Sequence, residues 1–187
     1  MYASFETFQM ERTLVKESPD NFPAGNFGAA SNIFHIKNKF IQEYGLGYHS
    51  FGLPKLMGQV VGLLLYHGEP LSLDDITVEL QVSKGPVSQI MRRLRDHNLV
   101  RRVWVPGSRR DYYEAASDIF GQAFTNHAAL QNENLALAHK YTQLIRDTET
   151  ELPDSFAARM EEMERFYTMM NKHLANFLKE WQASRPA

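Results

Sequence analysis

Apolar residues recur along most of the chain at the three- and four-residue spacing of an α-helix. This pattern predicts helices over residues 31–44 (capped by Ser31 or Asn32), 54–67, 72–80, 83–97, 117–152 and 153–181. We expect the first of them to be broken by glycines, namely Gly45, Gly47 and Gly52. Residues 99–105 and 111–115 are rich in β-branched and aromatic side chains and flank the turn sequence Pro106-Gly107-Ser108, so they predict a β-hairpin.

Local signals in the middle of the chain predict a short helix, a tight turn, a second helix and the hairpin, in that order. Ser72 and Asp75 have the spacing of an N-terminal capping box, and Ser83 is placed to cap the next helix. Asn98 stands where a left-handed residue would end that helix. This order is that of a winged helix-turn-helix domain. The predicted fold class is therefore mainly α, with a winged helix-turn-helix domain and long flanking helices that form a dimerisation region.

The same pattern divides the chain into three parts. Residues 1–30 form an N-terminal arm, with one short helix around 5–15 before a stretch rich in helix breakers. Residues 31–116 form the winged helix-turn-helix domain together with its preceding helix. Residues 117–187 form a helical region.

The last predicted helix carries a continuous heptad seam of apolar residues. Their spacings alternate between four and three residues: Phe156, Met160, Met163, Tyr167, Met170, Leu174, Phe177 and Trp181. Such a seam packs either against the helix's own domain or against a second copy of the chain. The residues before 117 already contain a complete small core, so we expect homodimerisation through this helix.

Composition excludes several chemistries. The chain has 187 residues and no cysteine, which excludes disulfides, cysteine zinc sites and a thiol nucleophile. The seven histidines form no HExxH motif, and there is no GxGxxG, Walker loop or GxSxG. We therefore expect no catalysis, no cofactor and no metal. No apolar run of membrane-spanning length and no secretory signal is visible, so a cytoplasmic protein is expected.

The net charge of −2 conceals one strongly basic segment. Residues 84–110 hold eight basic side chains and one acidic one, whereas both flanking parts are acidic. Charge of one sign concentrated in this way is typical of a surface that binds a polyanion. The segment coincides with the second helix of the helix-turn-helix and with the hairpin, so double-stranded DNA is the expected partner.

The second helix of such a domain presents its N-terminal half to the major groove. Ser88, Gln89 and Arg92 fall on its exposed face and suit base edges. Ser83, Lys84 and the first amides suit a phosphate. Gly85 either permits close approach of the backbone to DNA or is an ordinary helix-start residue.

At the hairpin tip, or wing, Arg109 and Arg110 suit the minor groove or the phosphates. Three aromatic residues on the hairpin, Trp104, Tyr112 and Tyr113, are expected to pack against the helices rather than to stack on nucleic acid.

The segments GLPKLMGQVVGLLLYHGEPLSLDDI and VSKGPVSQIMRRLRDHNLVRRVWVPGSRRDYYEA, with the helical tail, resemble the MarR-type winged-helix regulators, specifically the GbsR-like branch. The resemblance covers about residues 32–187. It implies a cytoplasmic, homodimeric transcriptional regulator that in some members responds to a quaternary amine.

A small-molecule effector of that kind would need an aromatic cage. The candidates by residue type are Tyr44, Tyr48, Phe51, Tyr66 and Tyr112.

The sequence thus predicts a homodimeric, sequence-specific regulator, acting as a repressor, that binds double-stranded DNA. The alternative is a winged-helix interaction subunit of a chromosome or transcription complex without an operator of its own. The basic second helix and the two-arginine wing favour DNA.

Overall fold

The computed structural model describes residues 27–147 and 152–186. Most of the predicted N-terminal arm, including its short helix, lies outside these residues. The elements in chain order are α1 (Phe27–Ser50), α2 (Lys55–His67), β1 (Leu71–Ser72), α3 (Leu73–Leu80), α4 (Lys84–Asp96), β2 (Val100–Val103), β3 (Tyr112–Ala115), α5 (Ile119–Arg146) and α6 (Asp154–Ser184).

The winged helix-turn-helix fold predicted from the sequence is confirmed. Helices α3 and α4 are the helix-turn-helix pair, and β2 and β3 form the antiparallel wing, with Val100 opposite Ala115. The short strand β1 adds to β3 and makes a three-stranded sheet in the order β1-β3-β2. The core lies between α2, α3, α4 and this sheet, and its most buried large side chains are Val60, Val61, Leu63, Leu64, Ile76, Val87, Met91 and Leu94.

The local signals in the sequence correspond to real helix ends. The backbone N–H of Asp75 donates to Ser72 Oγ over 3.2 Å and that of Ser72 donates to Asp75 Oδ2 over 3.1 Å, so the predicted capping box forms. Asn98 has φ of +56°, and the next amide, that of Leu99, bonds back to the Leu94 carbonyl over 2.8 Å. The capping box thus marks the start of α3, and the left-handed Asn98 marks the end of α4.

Helix α1 differs from the prediction at both ends. It begins at Phe27 rather than at 31 or 32, and it continues through Gly45 and Gly47 to Ser50. The reason is a close approach between helices: a Cβ on Gly58 would lie 2.8 Å from the Gly45 Cα. At that crossing Gly45 serves packing against α2 and does not break α1. Gly52, with φ of +75°, does lie in the turn beyond the helix.

Helices α5 and α6 form an antiparallel hairpin within one chain. The rings of Phe124 and Phe177 lie 4.5 Å apart, and Trp181 Nε1 donates to Asp118 Oδ1 over 2.8 Å. The expectation that the seam needs a second copy to cover it is therefore wrong in part, because α5 of the same chain packs along it: six of the eight seam residues are half-buried, while Phe156 and Phe177 are 38% and 46% exposed.

The seam as a whole is less well covered than a core would require. In α6, all of which the structure describes, no residue is buried. The hairpin also exposes large apolar side chains on both helices, among them Phe120, Leu130, Leu137, Phe166 and Met169.

Candidate nucleic-acid interface

Helix α4 has one buried and one solvent-facing side. Val87, Ile90, Met91 and Leu94 are buried in the core. The opposite face is exposed throughout and carries the predicted contact residues together with two further arginines, Ser88, Gln89, Arg92, Arg93 and Arg95. The periodicity of α4 therefore places the three predicted base-contacting side chains outside the protein, on a single helix face.

The N-terminal end of α4 is open to solvent. Ser83 occupies the N-cap position with extended φ and ψ, but its side chain makes no capping hydrogen bond, so the predicted cap is confirmed in position only. Lys84 and Gly85 are exposed beside it, and a Cβ on Gly85 would meet nothing within 4 Å. The first amides of α4 and the Ser83 hydroxyl are therefore available to an anion.

The wing tip is a tight turn between β2 and β3. Gly107 adopts φ of +81°, and the Ser108 amide donates to the Val105 carbonyl over 3.2 Å. The Arg110 amide in turn donates to Ser108 Oγ over 3.1 Å. This turn leaves Arg109 and Arg110 exposed at the end of the wing.

The three wing aromatics divide between core and surface. Tyr113 is 5% exposed and belongs to the core, as expected, while Tyr112 is half-buried. Trp104 is 78% exposed, so the expectation that it packs against the helices is wrong. It follows β2 directly, where the strand pairing with β3 has ended. Its neighbours Val103 and Val105 are half-buried, so Trp104 falls on the solvent side of the two-residue alternation of a strand.

Acidic residues offset part of the basic charge. Asp74, at the start of α3, accepts from Lys84 Nζ over 3.0 Å and lies 3.7 Å from Arg110 Nη1. The hydrogen bond from Lys84 and the charge of that lysine hold the pKa of Asp74 below its usual range. Arg101 also pairs with Glu114, and Arg102 with Asp111.

The other four arginines of the basic segment make no ion pair within the described part of the chain. They are Arg92, Arg93, Arg95 and Arg109. The charge count in the sequence covered only residues 84–110, so it missed the acids that pair with this segment from outside it. Asp74, for example, lies ten residues before Lys84. The free positive charge is therefore concentrated on α4 and at the wing tip.

Arg92 borders a shallow depression next to the core. The depression has a volume of about 230 Å³, and its lining residues are Leu73, Ser88, Met91, Arg92, Arg95 and Tyr113. Two of the predicted base-contacting side chains, Ser88 and Arg92, thus line one concavity together with a second arginine.

The five aromatic candidates for an effector cage do not converge. The rings of Tyr44 and Tyr48 lie 5.6 Å apart on α1, whereas Phe51 is 85% exposed in the following turn. Tyr66 on α2 has Lys37 Nζ 5.4 Å from its ring centroid, and Tyr112 is on β3. The structure brings Tyr44 and Tyr48 together, and the effector itself stays a prediction.

The described residues offer neither a metal site nor a membrane span. No group of three or more His, Asp or Glu side chains there is arranged to hold a metal ion. None of the described helices combines the length and the apolar character needed to cross a membrane.

The chain is similar to proteins that are named as transcriptional regulators. No family model matches the chain. It is 27% identical over 152 residues to the putative HTH-type transcriptional regulator YvaV of Bacillus subtilis (strain 168), covering 80% of this chain and 81% of that protein. It is 28% identical over 152 residues to the HTH-type transcriptional repressor OpcR of the same organism, covering 80% of this chain and 78% of that protein.

A third relative and a solved structure add to this. The HTH-type transcriptional repressor GbsR of B. subtilis is 32% identical over 76 residues, which is 41% of each chain. A crystal structure described as a transcriptional regulator superimposes with a TM-score of 0.67 at 23% identity, covering 79% of this chain and 99% of that one. That match shows the same fold. The relatives are HTH-type regulators, while the more specific GbsR-like assignment stays a prediction.

Proposed function

We propose that this protein is a transcriptional regulator that binds double-stranded DNA sequence-specifically and acts as a repressor. The observation that carries the proposal is the exposed face of α4, where polar and basic side chains surround an open helix N-terminus beside the wing. Similarity to proteins named as HTH-type regulators over 80% of this chain supports it. A regulator that binds chromosomal DNA acts in the cytoplasm, so this function agrees with the location expected from the sequence.

The residues divide into base readout and phosphate contact. Arg92 suits the acceptor edge of guanine and Gln89 that of adenine, since both side chains can bond a base in bidentate fashion; Ser88 suits either. Ser83, Lys84 and the amide of Gly85 suit a phosphate at the helix N-terminus. Arg109 and Arg110 suit the phosphates or the neighbouring minor groove, where narrow A·T-rich steps attract arginine.

We propose further that the protein acts as a homodimer through the α5–α6 hairpin. Support comes from the absence of any buried residue in α6 and from exposed large apolar side chains on the hairpin, such as Leu137 and Phe166. Exposed apolar surface of this extent is typical of an interaction site. A two-fold dimer would present two copies of α4 and hence select an inverted repeat whose half-sites lie about one DNA turn apart.

Selection from a library of randomised duplexes tests the proposed function. The protein should enrich one motif with dyad symmetry, and a scrambled duplex should compete poorly for it at physiological salt. Enrichment of no motif, with equal competition by random DNA, would instead favour the interaction subunit without an operator. A quaternary amine added to the same assay tests the effector. If the amine releases DNA from the unmodified protein but not from Tyr48→Ala, the result supports an effector that binds at Tyr48.

A further inference from the structure

Three parts of the proposed DNA-binding surface meet at one carboxylate. Asp74 lies in the first turn of α3, and its Oδ1 accepts from Lys84 Nζ over 3.0 Å. Its other oxygen, Oδ2, faces Arg110 Nη1 at 3.7 Å. Lys84 begins α4 and Arg110 belongs to the wing. One acidic side chain therefore contacts two cations that are both predicted to bind DNA phosphates.

Local structure does not require this carboxylate. The capping box of α3 is made by Ser72 and Asp75, whose side chains bond each other's backbone amides. Asp74 contributes to the helix through its backbone carbonyl, which accepts from Thr77 Oγ1 over 2.8 Å. An acidic side chain in a first helical turn is mildly favourable through the helix dipole. Its two oxygens, however, are directed at the cations of α4 and the wing.

The cluster is open to an incoming phosphate. The side chains of Lys84, Arg110 and Asp74 are 65%, 60% and 46% exposed. Ion pairs as exposed as these are weak. A carboxylate and a phosphodiester compete for the same N–H donors, because both are acceptors of charge-assisted hydrogen bonds. DNA that approaches Lys84 or Arg110 must therefore displace Asp74 or accept its negative charge nearby.

We infer that Asp74 is an internal competitor of the DNA phosphates for Lys84 and Arg110. By weakening the contacts that every duplex can make, it lowers affinity for random DNA and leaves binding more dependent on the base contacts of α4. This inference rests on the proposed function and adds to it a residue that limits the sequence-independent part of the affinity for DNA. The alternative role for the carboxylate is to align the two cations for DNA, which predicts a change of opposite sign.

The test compares Asp74→Asn with Asp96→Asn. Both variants gain the same net charge, and Asp96 lies at the exposed C-terminal end of α4, outside any ion pair among the described residues. Fluorescence anisotropy with a random-sequence duplex at several salt concentrations measures the affinity. Relative to Asp96→Asn, Asp74→Asn should bind about three- to tenfold more tightly, as expected for the release of two exposed pairs. Its salt dependence should be steeper by about one phosphate contact.

A second background assigns the effect to the two cations. With Lys84→Ala and Arg110→Ala already present, Asp74→Asn should gain no more affinity than Asp96→Asn does. Equal gains from the two Asn variants in the otherwise unchanged protein would overturn the inference, and so would weaker binding by Asp74→Asn. Thermal unfolding confirms that each variant is folded. If the unmodified protein and every variant fail to bind any duplex, the proposed function fails and the inference falls with it.

Discussion

Lys37 on α1 and Glu79 on α3 form an ion pair across the protein, with 2.9 Å between Nζ and Oε2. The lysine side chain is only 6% exposed and the glutamate 23%. The pair ties α1 to the first helix of the helix-turn-helix, next to the ring of Tyr66. The pair therefore links α1 directly to the helix-turn-helix.

Removing the glutamate should destabilise the protein more than replacing the lysine. Glu79→Ala removes a carboxylate that lies 2.9 Å from a nearly buried ammonium, at a cost of about 2 kcal/mol in the free energy of unfolding. Lys37→Met keeps most of the volume and removes the charge, so its cost should be smaller. Urea unfolding measures both. Glu43→Ala, at an exposed position of α1, is the control, and a Glu79→Ala value equal to it would contradict the account.

Two glycines on neighbouring helices should respond in opposite ways to alanine. A Cβ on Gly58 would lie 2.8 Å from both the Gly45 Cα and the Tyr44 carbonyl oxygen, so Gly58→Ala should destabilise by about 1–3 kcal/mol. A Cβ on Gly47 would meet nothing within 4 Å, so Gly47→Ala should stabilise α1 by up to about 1 kcal/mol. Chemical denaturation decides, and equal effects would show that the helices do not approach closely.

Charge on the exposed face of the α5–α6 hairpin should dissociate the proposed dimer without unfolding the chain. Phe166 is 58% exposed, so Phe166→Glu places a carboxylate on the surface of one chain but within the proposed interface. Such a charge would be desolvated on association. Sedimentation at micromolar concentration should show a dimer for the unmodified protein and for Thr168→Glu, a control on the same helix, and a monomer for Phe166→Glu. An unmodified protein that sediments as a monomer would refute the dimer.

Tyr48 should titrate later than an ordinary tyrosine. Burial, with a smaller effect from Tyr44, raises the pKa of Tyr48 to about 12 from its ordinary value of 10.0. A folded-state pKa above the unfolded one means that this group's stabilising contribution is complete below pH 10.0 and is lost as the pH rises towards 12. Burial raises the pKa of Tyr44 as well, so absorbance at the tyrosinate band should show late-titrating groups, of which Tyr48→Phe removes one. A titration curve unchanged by that substitution would contradict the burial of Tyr48.

The parts of the fold that were predictable carry their signals locally. The capping box at Ser72 and Asp75, the left-handed Asn98 and the apolar face of α4 each depend on residues a few positions apart. Such signals survive folding because the neighbouring backbone alone satisfies them. The helix-turn-helix and its exposed face could therefore be placed before any tertiary contact was known.

The parts that were not predictable depend on residues that folding brings together. Gly45 looks like a helix breaker until Gly58 of α2 is seen against it. The seam of α6 gives no indication that α5 of the same chain partly covers it. The charge count around α4 did not include Asp74, because that residue reaches Lys84 and Arg110 only through the turn between α3 and α4 and the fold of the wing.

The central claim is that α4 reads bases while the wing anchors the protein to the backbone of DNA. It is tested by Arg92→Ala and by the pair Arg109→Ala with Arg110→Ala, each on the selected duplex and on a scrambled one at two salt concentrations. Loss of Arg92 removes a base contact, so about 1–3 kcal/mol should disappear from binding to the selected duplex and little from binding to the scrambled one. Loss of the wing arginines removes contacts that any duplex offers, so both affinities should fall similarly and the salt dependence should flatten by about one to two contacts per wing.

The most direct single measurement is the ratio of affinities for the selected and the scrambled duplex in Arg92→Ala, compared with the unmodified protein. The account predicts that this ratio falls by about one to two orders of magnitude. An unchanged ratio, with both affinities reduced equally, would mean that Arg92 contacts only phosphate and would contradict base readout by the exposed face of α4.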